Sequence, residues 1–213
     1  MNDPSMTVLL LESAPGAGRR AGDELEAAGH RVLRCTDEGS GRHGLPCVGM
    51  LDPTRCPLEQ HIDVALVRRP GVVPWPTGTE RGVVCAIRAG IPIVEDGSQS
   101  FDPYEDWVAA RVDGETVATC EEVAGRELAD LSDAVIDRCR PLLAASYLPL
   151  DAIGCRIERR ADGVVVHLQF DPAVPESVRQ AASVRSIDAL RGMRDRGSTT
   201  DVLVEERVPA IPV

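Results

Sequence analysis

Four cysteines in the first half of the chain, Cys35, Cys47, Cys56 and Cys85, are of the residue type that does soft-metal and thiol redox chemistry. A thiolate is both a nucleophile and a metal ligand. Four of them brought together suit tetrahedral zinc or an iron–sulfur cluster. His43 and His61 flank the stretch that carries Cys47 and Cys56, and add two imidazoles of the kind that bind the same metals.

Spacing tempers that reading. The intervals between the four are 12, 9 and 29 residues, so none has the CxxC separation of a preformed metal knuckle. Cys56 is followed by Pro57, as is the last cysteine of some cluster motifs. Convergence therefore depends on the fold. Three readings stay open: a metal site with Cys35, Cys47, Cys56 and Cys85 as ligands, a redox or disulfide pair, and structural thiols. Cysteine is among the most buried residue types. Cys85, beside Val84 and Ile87 on the apolar face of its helix, suits the last reading, as do Cys120, Cys139 and Cys155 at core-like positions.

The elements that must position these residues alternate. Thr7–Glu12 is a short, continuously apolar run, the mark of a buried parallel strand. A Pro-Gly-Ala-Gly turn follows, then a helix from Arg19 to Ala28 stopped by Gly29. Arg31–Cys35, Ile62–Val67 and Ile91–Glu95 read as further strands, with a helix over Thr79–Ala89 before the last. This rhythm implies an α/β fold with a doubly wound parallel sheet. It places Cys35 at the end of the second strand and Cys47 and Cys56 in a long loop, 36–61, without helical pattern. Loops at the carboxyl edge of such a sheet form the usual binding crevice.

Beyond Ala110 the pattern changes. Residues 113–137 hold eight acids and one arginine, with apolar positions at Val117, Val123, Leu128, Leu131, Val135 and Ile136 that predict a helix ending near Pro141. Ile153–Arg159 and Val164–Phe170 flank Ala161-Asp162-Gly163, a hairpin signal. Val178, Ala181, Val184, Ile187, Leu190 and Met193 recur every third residue and predict a helix, and Val202–Glu205 a last strand. The expected organisation is a first domain over 1–112 and a small αββαβ domain over 113–213. That order is shared with KH domains, but the one GxxG here, Gly41–Gly44, falls in the other domain.

In strand order and local phrases the first hundred residues resemble the receiver domain of bacterial response regulators, in degenerate form. The resemblance implies acids after strand one, a phosphoacceptor aspartate after strand three, a hydroxyl after strand four and a lysine after strand five. Here Glu12 stands for one acid with Ser13 beside it, Asp63-Val64-Ala65-Leu66-Val67 ends in Arg68, strand four ends in Glu95-Asp96-Gly97, and no lysine is present. Arginine is neither a phosphoryl acceptor nor a Mg²⁺ ligand. The implied domain is a pseudo-receiver. Gly16-x-Gly18 has only two glycines of a dinucleotide fingerprint, and no phosphate-loop lysine follows.

Composition narrows the function classes. All 23 basic residues among the 213 are arginine, which removes lysine nucleophiles and Schiff bases, and a formal charge of −11 with 3% aromatics argues against nucleic acid. The start of the chain has neither the positive flank nor the apolar core of a signal peptide, and a cytoplasmic protein is expected. No nucleophile elbow or HExxH is present. The expected function is non-enzymatic: a regulatory or interaction protein, a homodimer or bound to another protein, with zinc or an iron–sulfur cluster as the cofactor if the cysteines bind metal. The rival is an enzyme that uses the sheet-edge crevice with Cys47 or Cys56 as nucleophile or ligand. Arg179, Arg185, Arg191, Arg194 and Arg196 make the last helix mildly basic, which reads either as a solvated face or as a surface that docks the acidic 113–137 helix of the same or a second chain.

Overall fold

In a computed structural model, the structure describes residues 6–36, 47–71, 75–97, 102–160, 163–191 and 199–207. Two compact units make up the chain, Met1–Arg126 and Glu127–Val213. Among the described residues, no helix is long and apolar enough to cross a membrane.

The first unit is built on five parallel strands: β1 (Thr7–Glu12), β2 (Arg31–Arg34), β3 (Val64–Arg69), β4 (Ile93–Gly97) and β5 (Val108–Arg111), in the order β2-β1-β3-β4-β5. That is the general topology of receiver and flavodoxin-like domains. Side chains alternate across each strand. Val8, Leu10, Val64, Leu66 and Val94 pack with Ala21 and Leu25 of α1 (Arg19–Ala27) and with Cys120, Val123 and Ala124 of α4 (Thr116–Ala145). Leu9, Leu11, Ala65, Val67 and Ile93 pack with Val83 and Ala86 of α3 (Arg81–Arg88), with Tyr104 and with Cys35. β1 and β3 are apolar on both faces because both faces are covered.

β5 has no counterpart in the sequence reading. Its four residues are Val-Ala-Ala-Arg, poor in strand formers, and its pairing with β4 slips between Ile93 and Val94. The loop after β2 also differs from expectation. It folds into one helical turn, α2 (Val48–Leu51), and two 3-10 turns, Pro53–Arg55 and Pro57–Glu59. Asp52 caps the first of these, its carboxylate accepting the Thr54 N–H at 3.0 Å. His43 and Gly41–Gly44 lie outside the described residues.

In the second unit β6 (Ile153–Arg160) and β7 (Gly163–Phe170) are antiparallel, and β8 (Thr199–Glu206) runs parallel to β7. With α4 and α5 (Glu176–Arg191) this is a small α+β unit. The hairpin turn at Ala161-Asp162 lies outside the described residues. One core gathers Leu131, Val135, Cys139 and Leu143 of α4, Val164, Val166, Leu168 and Phe170 of β7, and Val178, Ala182 and Leu190 of α5. The division between units falls inside α4, which feeds both cores.

One expectation is corrected. α5 buries Val178, Ala182, Ser186 and Leu190, a spacing of four, and Val184 is 69% exposed. Every-third spacing drifts around a helix of 3.6 residues per turn, so it cannot stay on one face for 16 residues. α4 passes through Pro141 and ends at Ala145. Proline removes one N–H there, while Leu143, two residues on, is buried in the core and holds the last turn.

Candidate functional site

The four cysteines gather on the α3 side of the sheet. Cys35 follows β2 and is buried, and its thiol lies with a Leu11 methyl against Gly82, where a Cβ would stand 2.4 Å from the Leu11 Cδ2 and 3.0 Å from the sulfur. Its carbonyl accepts the Val48 N–H at 2.8 Å, which docks the start of α2 and its preceding residue, Cys47, onto the strand end. Gly49 lies against Cys56, with a Cβ there 2.9 Å from the Cys56 Cβ and 3.2 Å from its sulfur. Burial, then the neighbouring Cys47, Cys56 and Cys85, push the Cys35 thiol up to about 12. All three other thiols therefore lie within its electrostatic reach. Cys47 and Cys56 are half-buried.

Cys85 is exposed, which corrects its placement on an apolar face. α3 turns Gly82, Val83 and Ala86 inward, and Val84 is exposed as well. His61 belongs elsewhere: its Nε2 lies 2.7 Å from Asp63 Oδ1, while Asp63 Oδ2 accepts the Thr7 N–H at 2.7 Å, at the amino edge of the sheet. Among the described residues, no group of three or more His, Cys, Asp or Glu side chains could hold a metal ion.

The carboxyl edge carries two polar groups, one on each face, because Arg68 and Arg69 are adjacent in a strand. On the α1 face, Glu12, Arg68 and Asp96 stand in register across β1, β3 and β4. The Arg68 guanidinium donates to the Asp96 carboxylate and, at 3.1 Å, to its carbonyl. Thr116 donates to the other Asp96 oxygen at 3.4 Å. The Glu12 carboxylate accepts the N–H groups of Gly16 at 2.7 Å and Gly18 at 3.2 Å. Gly16 has φ of +76°, which aims its amide back at the strand end. The amides that a nucleotide phosphate would use are thus taken by the chain's own carboxylate. A crevice of about 300 Å³ beside this row is lined by Ala17, Arg20, Glu24, Arg68, Asp96 and Thr116.

On the α3 face the edge is buried. Arg69, 1% exposed, stands 2.8 Å from Glu80 and 3.7 Å from Asp102, with its guanidinium 5.6 Å from the centre of the Tyr104 ring. Arg111, at the end of β5, binds Glu95 at 3.0 Å and Asp102 at 2.9 Å. Glu80 also accepts the Thr77 N–H at 2.6 Å and so caps the turn that leads into α3. Three carboxyls here face two guanidiniums. Burial, with Asp102 hydrogen-bonded beside it, pushes Glu95 above the usual carboxylate range, against the pull of Arg111. Burial pushes Tyr104 up to about 12. Among the described residues, Ser13 Oγ, the Tyr104 hydroxyl and Glu95 Oε1 are buried without a hydrogen-bond partner.

The sequence reading missed Arg69, Glu80, Asp102, Arg111 and Thr116. One signal was available: paired arginines at a strand end point to opposite faces, so each needs its own acids.

In the second unit His167 lies on the sheet face opposite the core, yet is only 7% exposed. Its Nδ1 is 2.9 Å from Glu205 and its Nε2 3.2 Å from Glu158. Two arginines of α5, Arg179 and Arg185, are used within the unit. Arg194 and Arg196 lie outside the described residues. Arg179 bonds Glu206 at 2.9 Å and the Val174 and Pro172 carbonyls, and Arg185 donates to the Arg138 carbonyl at 3.4 Å. Arg138 of α4 in turn pairs with Asp188 of α5. No protein-family model matches the chain, and no curated protein is detectably similar to it.

Proposed function

We propose that the chain is a non-enzymatic regulatory or protein-interaction protein whose first unit is a receiver-like domain that cannot take a phosphoryl group. The observation that carries this reading is Arg68. It stands at the end of β3, where a receiver presents its acceptor carboxylate, and it is ion-paired to Asp96. Glu12, the one acid at the end of β1, is committed to the amides of Gly16 and Gly18. A phosphoryl acceptor needs a free carboxylate beside a Mg²⁺ held by oxygen ligands. Here the nearest carboxylates already have cationic or amide partners.

The second unit supplies the interaction surface in this reading. Among the described residues β8 bonds to β7 alone, and its Leu203 and Val204 are exposed. An edge strand with apolar side chains favours pairing with another chain, and a homodimer is the simplest such assembly.

Intact-mass measurement after incubation with acetyl phosphate and Mg²⁺ tests the first part. No phosphoryl adduct is expected on the folded protein, and an adduct mapped to Glu12, Asp63 or Asp96 refutes the reading. Light scattering on the eluting protein tests the second. A dimer that becomes monomeric in Leu203→Asp is expected, and a monomer at all concentrations overturns it.

A further inference from the structure

We propose that the crevice on the α1 face of the carboxyl edge binds a free α-amino acid, with Arg68 and Arg20 facing its carboxylate and Glu24 and Asp96 its ammonium group. The crevice holds about 300 Å³ and lies wholly within the first unit. That volume is at the small end of ligand pockets, which run from roughly 300 to 1,000 Å³. Its place, at the carboxyl ends of β3 and β4, is where open parallel sheets take their ligands.

Two ion pairs line it at different depths. Arg68 and Asp96 form the inner, half-buried pair, and Arg20 and Glu24 the outer, exposed pair on α1. Neither guanidinium is fully spent. Among the described residues, Arg68 donates from Nη1 alone, to the Asp96 carboxylate and carbonyl. Its Nε–H and the Nη2 protons remain for a carboxylate, in the fork geometry that suits two oxygens. Arg20 donates from Nε to Glu24 Oε1 at 2.8 Å, which leaves Glu24 Oε2 open to an ammonium group. Exposed i,i+4 pairs are weak, so this outer pair rearranges around a ligand at little cost. Thr116 is buried, and its 3.4 Å bond to Asp96 is long enough to be exchanged for a shorter one. Charge selects the ligand. The lining holds two cations and two anions, and the charge of the neighbouring Glu12 is spent on the Gly16 and Gly18 amides. A simple oxyanion or amine would add an uncompensated charge, whereas a compact zwitterion meets an opposite charge at each end.

The inference does not rest on the phosphorylation-incompetent reading, and its test reads a different signal. Titration calorimetry and thermal-shift measurements on the full-length chain take each proteinogenic α-amino acid in turn. At least one is expected to bind once per chain with a Kd below roughly 1 mM and to raise the melting temperature. Its N-acetyl and methyl-ester derivatives and inorganic phosphate should not. Arg20→Gln and Glu24→Gln lie at exposed positions where folding is not at issue, and each should weaken binding by roughly twofold to fivefold. Arg68→Gln should weaken it by at least roughly tenfold, as loss of a charge-assisted bond does, with far-UV circular dichroism checking the fold. Arg185→Gln, in the second unit, should leave it unchanged. Binding by none of the amino acids, binding that survives N-acetylation or esterification, or an affinity indifferent to Arg20→Gln, Glu24→Gln and Arg68→Gln overturns the proposal.

Discussion

Glu95 shows how burial and charge compete at a single residue. Its carboxyl is raised because it is buried and shares a hydrogen bond with Asp102, and the Arg111 guanidinium only partly offsets this. A raised carboxyl contributes most below its unfolded value, 4.5, and that contribution is lost as pH rises through the folded value. At pH 7 the ionised side chain is therefore a net cost. Glu95→Gln keeps an acceptor for Arg111 and a donor for Asp102. It should raise the melting temperature at pH 7, with the gain shrinking as pH falls towards 4.5. Calorimetry across that range checks it, and a loss at pH 7 would show that the ionised pair with Arg111 dominates. Gly97 gives a steric counterpart. A Cβ there would lie 2.0 Å from the Arg69 carbonyl oxygen, and neither backbone segment can move without breaking the β3–β4 ladder. Gly97→Ala should cost at least the roughly 1–3 kcal/mol of an overpacked core, read by urea unfolding.

At the scale of elements, what was legible followed from burial on two faces. β1 and β3 announce themselves as Leu-Leu-Leu and Val-Ala-Leu-Val because neither face may be polar. Cys35 was legible as the residue that ends the second strand, because the strand pattern fixes that position, and it directly follows β2. β5 was hidden because Val-Ala-Ala-Arg carries no strand signal, and the edge position with a register slip asks for none. The ion network of Arg69, Glu80, Asp102 and Arg111 was hidden because its members come from four segments joined only in space. Cys85 was misjudged because its neighbour Val84 is exposed, and the buried face is made by Gly82, Val83 and Ala86, with Ile87 packed partly against the core. α5 misled in the same way, and it offers a direct check. Val184→Asp should change stability by no more than about 0.5 kcal/mol, as an exposed substitution does. Val178→Asp puts an unpaired charge into the core and should unfold the second unit, visible as loss of a cooperative urea transition.

For the whole molecule, the missing lysine simplifies the alkaline limb of the stability curve. Between pH 8 and 11 the titrating side chains are cysteine and tyrosine. Burial, followed by the Asp96 and Glu121 charges, pushes Cys120 up to about 12, and burial raises Cys139. The native thiol keeps a proton that the unfolded thiol, at 9.0, gives up. For Cys120, stability is thus full below pH 9 and falls as pH rises towards 12, by roughly 1.4 kcal/mol per pH unit. Urea midpoints should drop from pH 8.5 to 10.5, and Cys120→Ala should flatten that slope. An unchanged slope would mean the buried thiol ionises without unfolding.

The loop from Glu12 to Gly18 has one further consequence, which concerns competition. The Glu12 carboxylate is delivered to the Gly16 and Gly18 amides by only a few bonds of backbone, starting from a fixed strand. Its effective concentration there is well above the roughly millimolar value of a short flexible tether. Any dissolved oxyanion, phosphate or sulfate, meets an occupant that never diffuses away and whose negative charge repels the newcomer. The amino end of α1 is a lock whose key is part of the lock. Its amides hold the first turn of the helix to the sheet.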